Sequence, residues 1–126
     1  LLVAGGDALY LAHWMRESGL ADLLPSLTTT VWVGMSAGSV VMTPQIGREF
    51  VGWTSGSGHD TALGLVDFSI CPHLAPDGEP GNSRAAAEKW ASKLSSPAYA
   101  IDDQTAISVV DGVVEVVSDG EWMLFP

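Results

Sequence analysis

Within Val31-Trp-Val-Gly-Met-Ser-Ala-Gly-Ser39, a β-branched and aromatic run leads straight into Gly34-Met35-Ser36-Ala37-Gly38. This is the G-x-S-x-G pattern of a nucleophile elbow, where a strand turns sharply into a helix and holds one serine strained and exposed. The residue types follow from that geometry. Crowding beside the serine leaves no room for side chains, so glycine stands at minus two and plus two. A helix opening after Ser36 directs free N–H groups and its positive dipole end at any oxyanion that forms there. The chemistry open to such a serine is acyl transfer, which also needs a base and an acid to orient the base.

The order of the remaining candidates narrows the choice. The histidines are His13, His59 and His73. An order of serine, acid, histidine would crowd both partners between Ser36 and His73, a span too short for the strands that carry them in α/β-hydrolases. Serine, histidine, acid fits better: Ser36, then His73 in Ile70-Cys-Pro-His73, then an aspartate of Ala100-Ile-Asp-Asp-Gln-Thr-Ala106. Pro72 cannot donate to a ladder, which places His73 just past the end of an apolar strand over 66–70. Asp102 and Asp103 are expected to open the strand continuing through 105–110. Neighbouring strand side chains point to opposite faces, so one of the two carboxylates can reach His73. All three groups then sit at strand ends, where open α/β sheets keep their sites.

The elements that must position them alternate β and α before ending in a meander. Asp7 is suited to cap a helix from about 8 to 18, with Leu9, Ala12, Trp14 and Met15 at helical spacing and Gly19 at its end. A second short helix over 20–27 is broken by Pro25, and a strand over 29–33 feeds the elbow, whose helix runs from Ala37 to about Met42. The span 43–63 reads as loop with a short strand at 50–53, and a helix is expected over 84–94. Asp111-Gly112 and Asp119-Gly120 each lie between β-rich runs and signal hairpins. The other candidates have plainer readings. Cys71 is a small buried hydrophobe, His13 a helix residue, and the tryptophans core, with Trp53 suited to line a pocket. His59 and Asp60 lack metal-ligand spacing, so no metal is expected.

Four segments together resemble peptidase E, the aspartyl dipeptidase family of serine peptidases that includes the cyanophycinases. They are Val3-Ala-Gly-Gly-Asp-Ala-Leu-Tyr-Leu11, Gly34 to Ser39, Cys71-Pro-His73 and Ile101-Asp-Asp-Gln-Thr-Ala-Ile107. The resemblance implies Ser36 as nucleophile, His73 as base and Asp103 as the acid, with the Gly6 and Ala37 N–H groups as oxyanion hole. Asn82-Ser83-Arg84 matches the segment whose arginine contacts the substrate's aspartate side chain, so Arg84 is implied in substrate binding. The implied fold is a three-layer, flavodoxin-like α/β domain related to class I glutaminases, with a mostly parallel sheet and a C-terminal β-hairpin meander. The implied activity is hydrolysis of Asp-X dipeptides without a cofactor. A cyanophycinase-like β-aspartyl peptidase is the alternative, and a non-catalytic subunit or binding module of the same fold is a second. Family members carry further strands and helices before the glycine turn. An incomplete N-terminus is therefore expected, made good by a complementing N-terminal chain or by a homo-oligomer.

Composition fits these expectations. The 126 residues suit one domain over 1–126, and 47% hydrophobic content can build a core. Five basic against fifteen acidic residues give a net charge of −10, which argues against nucleic-acid and anionic membrane partners. An anionic substrate, here a small acidic peptide, then needs a specific local cation. The apolar runs are too short to span a bilayer, no secretory signal is visible, and a single cysteine suits a reducing compartment, so the cytoplasm is expected.

Overall fold

Asp7 caps the first helix as its sequence predicts, its side chain accepting the Tyr10 N–H at 2.9 Å. The computed structural model describes residues 1–54, 58–75 and 80–126 and divides the chain into two compact units, 1–69 and 70–126.

The first unit contains β1 (Leu2–Val3), α1 (Ala8–Glu17), α2 (Leu20–Leu23), a 3-10 turn at Leu24–Ser26, β2 (Val33–Gly34), α3 (Ala37–Val40) and a 3-10 turn at Arg48–Phe50. β1 and β2 pair parallel, Leu2 beside Val33 and Val3 beside Gly34. The strand expected over 29–33 is thus shorter and displaced toward the elbow. Its ladder extends only as far as β1 offers partners, ending where the Met35 N–H donates to the Val3 carbonyl at 2.9 Å. α1 buries Ala8, Leu9, Ala12 and Met15 on one face. Ala8 and Leu9 join Ala37, Val40, Ile46 and Ala62 in one cluster, so α1 and α3 share a core. Ala12 and Met15 join Val41 in another.

The strand expected at 50–53 does not form. The Gly52 and Trp53 N–H groups donate to the Asp7 carboxylate rather than to a neighbouring strand. A side chain has taken the bonds a ladder would need.

The second unit completes β3 (Ser69–Cys71), which begins at the boundary, and adds a 3-10 turn at Pro80–Asn82, α4 (Arg84–Ala91), β4 (Ala98–Ile101), β5 (Thr105–Val110), β6 (Val113–Ser118) and β7 (Trp122–Phe125). The sheet order is β3-β4-β7, and β5-β6 forms a separate ribbon. Ser83 caps α4 through the Ala86 N–H. α4 buries Ala87 and Trp90 against Cys71, Leu74, Ala98 and Ala100.

Of the two expected hairpins, one forms. Asp111 and Gly112 have φ of 51° and 79°, the positive pair of a type I′ turn, and β5 and β6 pair antiparallel across them. Asp119-Gly120 does not join a hairpin, because β7 pairs antiparallel with β4 instead of β6. The C-terminal meander is corrected accordingly. The pull comes from Asp102, whose Oδ2 accepts the Glu121 N–H at 2.6 Å while its own N–H donates to the Glu121 carbonyl at 3.1 Å. Those two bonds draw the entry of β7 to the end of β4. Among the described residues, no helix is long and apolar enough to cross a membrane.

Trp90 is 1% exposed, so its loss would leave a large void in the second unit. Trp90→Ala should cost about 3–5 kcal/mol by denaturant unfolding. Lys89→Ala, on the neighbouring surface, should change stability by less than about 0.5 kcal/mol.

Candidate active site

The elbow predicted around Ser36 is present, and its backbone carries the strain that the motif requires. Ser36 has φ 53° and ψ −120° between β2 and α3. Among the described residues, positive φ outside glycine occurs at Ser36, His73 and Asp111. Asp111 is accounted for by its type I′ turn, and the other two are candidate catalytic residues. Such conformations persist where the surroundings over-determine them.

Those surroundings are visible. A Cβ at Gly34 would overlap the Gly38 carbonyl and come within 2.6 Å of the Ser39 nitrogen, and a Cβ at Gly38 would overlap the Val3 carbonyl. Both glycines are therefore required by contact, as the spacing predicts. Trp32 Nε1 donates to the Gly38 carbonyl at 2.9 Å, and Ser39 Oγ donates to the Ser36 carbonyl at 2.7 Å, which braces the turn from both sides. Gly5 lies alongside: a Cβ there would meet Ser36 Cβ at 3.4 Å.

α3 starts at Ala37. The Gly38 N–H donates to the Met35 carbonyl, and the Ser39 and Val40 N–H groups donate to the Ser36 carbonyl. Ala37 N–H has no such acceptor among the described residues. Gly6, with φ 136°, adopts a conformation that a side chain would resist.

In the second unit, His73 follows β3 and Pro72 with φ 62°. The Leu74 N–H donates to the Ile101 carbonyl at 2.9 Å, tying this segment to the end of β4, one residue before Asp102. His73 Nδ1 then lies 2.6 Å from Asp103 Oδ1, with both side chains well exposed. An ionised carboxylate only accepts, so Nδ1 carries the proton and donates it. In the neutral ring this leaves Nε2 as the basic nitrogen.

The two adjacent aspartates divide the work. They were expected to open a strand, but they occupy the turn between β4 and β5. Asp102 accepts from the Gln104 N–H at 3.1 Å and Thr105 Oγ1 at 2.6 Å on Oδ1, and from the Glu121 N–H on Oδ2. A Cβ at Gly120 would collide with this carboxylate. Asp102 is thus committed to the turn, and its neighbour faces His73. The Thr105 hydroxyl and the Glu121 N–H hold the Asp102 carboxyl below its ordinary pKa.

Arg84 is the first residue of α4, a poor place for a cation because the helix dipole is positive there. Its Nη2 donates to Glu121 Oε2 at 2.6 Å, with both side chains about half exposed. Glu121 escaped the sequence reading because the Asp119-Gly120 turn signal beside it suggested a hairpin. Cys71 is buried, and burial pushes its thiol up to about 11. At neutral pH it is the protonated, inert form, in line with the hydrophobe expected there.

A serine held between two contact-required glycines at a strand–helix turn defines an α/β protein of the elbow type. More narrowly, the chain belongs to peptidase family S51, whose family model matches residues 1–117. Its fold is similar to the crystal structure of a candidate peptidase E from Listeria monocytogenes EGD-e. The two are 24% identical with a TM-score of 0.70, over 94% of this chain and 59% of that one. The chain therefore spans 59% of the length of that protein. No curated protein matches the chain significantly.

The lowered pKa of Asp102 has a stability consequence with a definite sign. A carboxyl whose folded pKa is depressed stabilises the fold above its unfolded pKa, and that contribution disappears as pH falls through the folded value. Asp102→Asn should lower the thermal midpoint at pH 7 and reduce the loss of stability on acidification below about pH 4. A melting series from pH 7 to pH 2.5 on both proteins reads the difference.

Proposed function

We propose that the chain provides the nucleophile, base and acid of a serine peptidase that hydrolyses short peptides with an N-terminal aspartate. The observation that carries the reading is the backbone of Ser36, strained to φ 53° and ψ −120° between glycines that admit no side chain. Strain held in place by surrounding contacts is common at functional sites. The 2.6 Å His73–Asp103 pair supports it, and so does membership of peptidase family S51. In this reading residues 1–126 form one catalytic domain of the three-layer, flavodoxin-like kind, acting without a cofactor or metal.

The chemistry runs as follows. Ser36 Oγ attacks the peptide carbonyl as its proton passes to His73 Nε2. Asp103 holds the Nδ1 proton and stabilises the imidazolium. The carbonyl oxygen becomes an oxyanion facing the Gly6 and Ala37 N–H groups, each donor contributing about 3–4 kcal/mol to the barrier reduction. Collapse of this intermediate expels the amine, which takes the proton from His73 and leaves an acyl-serine. Water, deprotonated by His73, hydrolyses the ester and restores the serine. Arg84 supplies the local cation that an acidic substrate needs against a net charge of −10. A guanidinium can grip a carboxylate with two parallel bonds, which a lysine cannot reproduce.

Turnover of Asp-X, β-Asp-X and Leu-X peptides, together with labelling by a serine-reactive phosphonate, tests the reading. Asp-X peptides should be preferred. A β-Asp-X preference would indicate a cyanophycinase-like substrate, and absence of both labelling and turnover would indicate a binding module. Ser36→Ala should abolish labelling and lower kcat by about 10^4-fold or more, and Asp103→Asn should lower kcat by about 10^4-fold with binding retained.

Arg84→Met should cost about 2–4 kcal/mol of transition-state stabilisation for Asp-X peptides, read from the fall in kcat/KM, the range for losing one partner of a charge-assisted pair. Leu-X turnover should hardly move. Equal losses on both peptide types would assign Arg84 to the structure instead.

A further inference from the structure

Asp7 does more than cap α1. Its Oδ1 accepts the Tyr10 N–H, as an N-cap does. Its Oδ2 accepts two more backbone N–H groups from a distant segment, Gly52 at 2.9 Å and Trp53 at 2.7 Å. A cap needs one oxygen, and asparagine serves as well as aspartate. The second oxygen is what calls for a carboxylate. With its carbonyl on the cap, asparagine would turn an NH2 group toward two N–H donors. Burial raises the Asp7 pKa, but the backbone N–H groups of Tyr10, Trp53, Gly52 and Leu9 outweigh it and hold the carboxyl below its ordinary value. At neutral pH the group is therefore a pure acceptor.

The clamp fixes a large side chain against the core that α1 shares with α3. The Trp53 indole stands edge-on to Tyr10 at 5.5 Å and tilted against His13 at 5.0 Å. It also packs on the cluster that contains Ala37, the residue after Ser36. Two residues back along the chain from Asp7, Gly5 adjoins the Ser36 side chain. A single carboxylate thus joins the glycine turn, the start of α1 and the segment bearing Trp53, all within the first unit.

We propose that Asp7 is a positioning residue which clamps the segment 48–53 to the glycine turn, so that Trp53 forms an apolar wall beside Ser36 for the leaving residue of the peptide. The proposal rests on the peptidase reading. There the N-terminal residue is acidic, and an indole face suits the apolar side chain on the other side of the scissile bond.

The test compares wild type, Asp7→Asn, Trp53→Ala and the double variant on Asp-Leu, Asp-Phe and Asp-Gly, with amide exchange at Gly52 and Trp53 followed in parallel. Each single variant should raise KM for Asp-Leu and Asp-Phe about tenfold, with kcat and Asp-Gly turnover little changed. The double variant should be no worse than Trp53→Ala, because both act through one wall. Exchange at Gly52 and Trp53 should quicken in Asp7→Asn. Unchanged exchange, additive losses, or equal losses on Asp-Gly would each overturn the role, the last by showing a purely structural defect. A wild type that hydrolyses all three peptides with one KM overturns the wall and leaves the peptidase reading standing. A wild type that hydrolyses none of the Asp-X, β-Asp-X or Leu-X peptides removes that reading, and this role with it.

Discussion

The first unit is organised around one close approach, that of the elbow helix to the strand beside it. At Gly38 the backbone of α3 lies so near the Val3 carbonyl that a Cβ would fall within 2.7 Å of the Val3 carbonyl carbon. That contact sets the depth at which α3 can sit, and Gly34 must then be bare so that the chain can turn back over Gly38. With both ends of the turn fixed, Ser36 is left in a conformation it would not choose. Trp32 and Ser39 donate to the Gly38 and Ser36 carbonyls of the same turn, and Val40 anchors the helix that follows in the core shared with α1. The serine's backbone strain and the tightness of its surroundings are thus one property, and loosening either glycine contact would relax both.

What was legible in the sequence was largely what glycine and short-range capping dictate. The elbow, the Asp7 cap, the end of α1 near Gly19 and the Asp111-Gly112 turn all rest on backbone conformations that few residue types tolerate. What was not legible depends on side chains that reach across the chain. The strand expected at 50–53 is absent because Asp7, more than forty residues away, takes its N–H groups. The hairpin expected at Asp119-Gly120 is replaced because Asp102 takes the Glu121 N–H. In both cases a distant carboxylate took a backbone N–H that the local pattern assigns elsewhere, at Gly52 and Trp53 in the first and at Glu121, just before β7 pairs with β4, in the second. Local pattern cannot register such a bond, since Asp reads as a cap or turn residue wherever it occurs.

The division between Asp102 and Asp103 shows how far residue type alone can go. Either aspartate could orient a histidine, and alternation along a strand would allow only one to do so. In the structure only Asp103 of the pair is hydrogen-bonded to His73, and strand alternation is not the reason. The pair lies in a turn, where Asp102 is occupied by three donors and Asp103 extends to His73. The turn therefore depends on one carboxylate and presents the next. A change at Asp102 would act on His73 through the placement of its neighbour, so loss of activity in such a variant would not by itself identify a catalytic acid.

Charge gives the proposed specificity an exchange character. Arg84 already has a partner, and Glu121 is held within reach of it by backbone bonds to Asp102. A pair exposed to this degree is stabilised by about 0–1 kcal/mol, so replacing Glu121 with a substrate carboxylate forfeits little. The gain comes if the arriving peptide excludes water and the guanidinium binds both carboxylate oxygens, since charge-assisted pairs strengthen as the local dielectric falls. Glu121 would then be released into solvent at small cost. In the absence of substrate, its carboxylate offsets a cation that the start of α4 disfavours. Under the proposed reading, the same glutamate stabilises the free protein and weakens its grip on any acidic ligand too poorly seated to displace it.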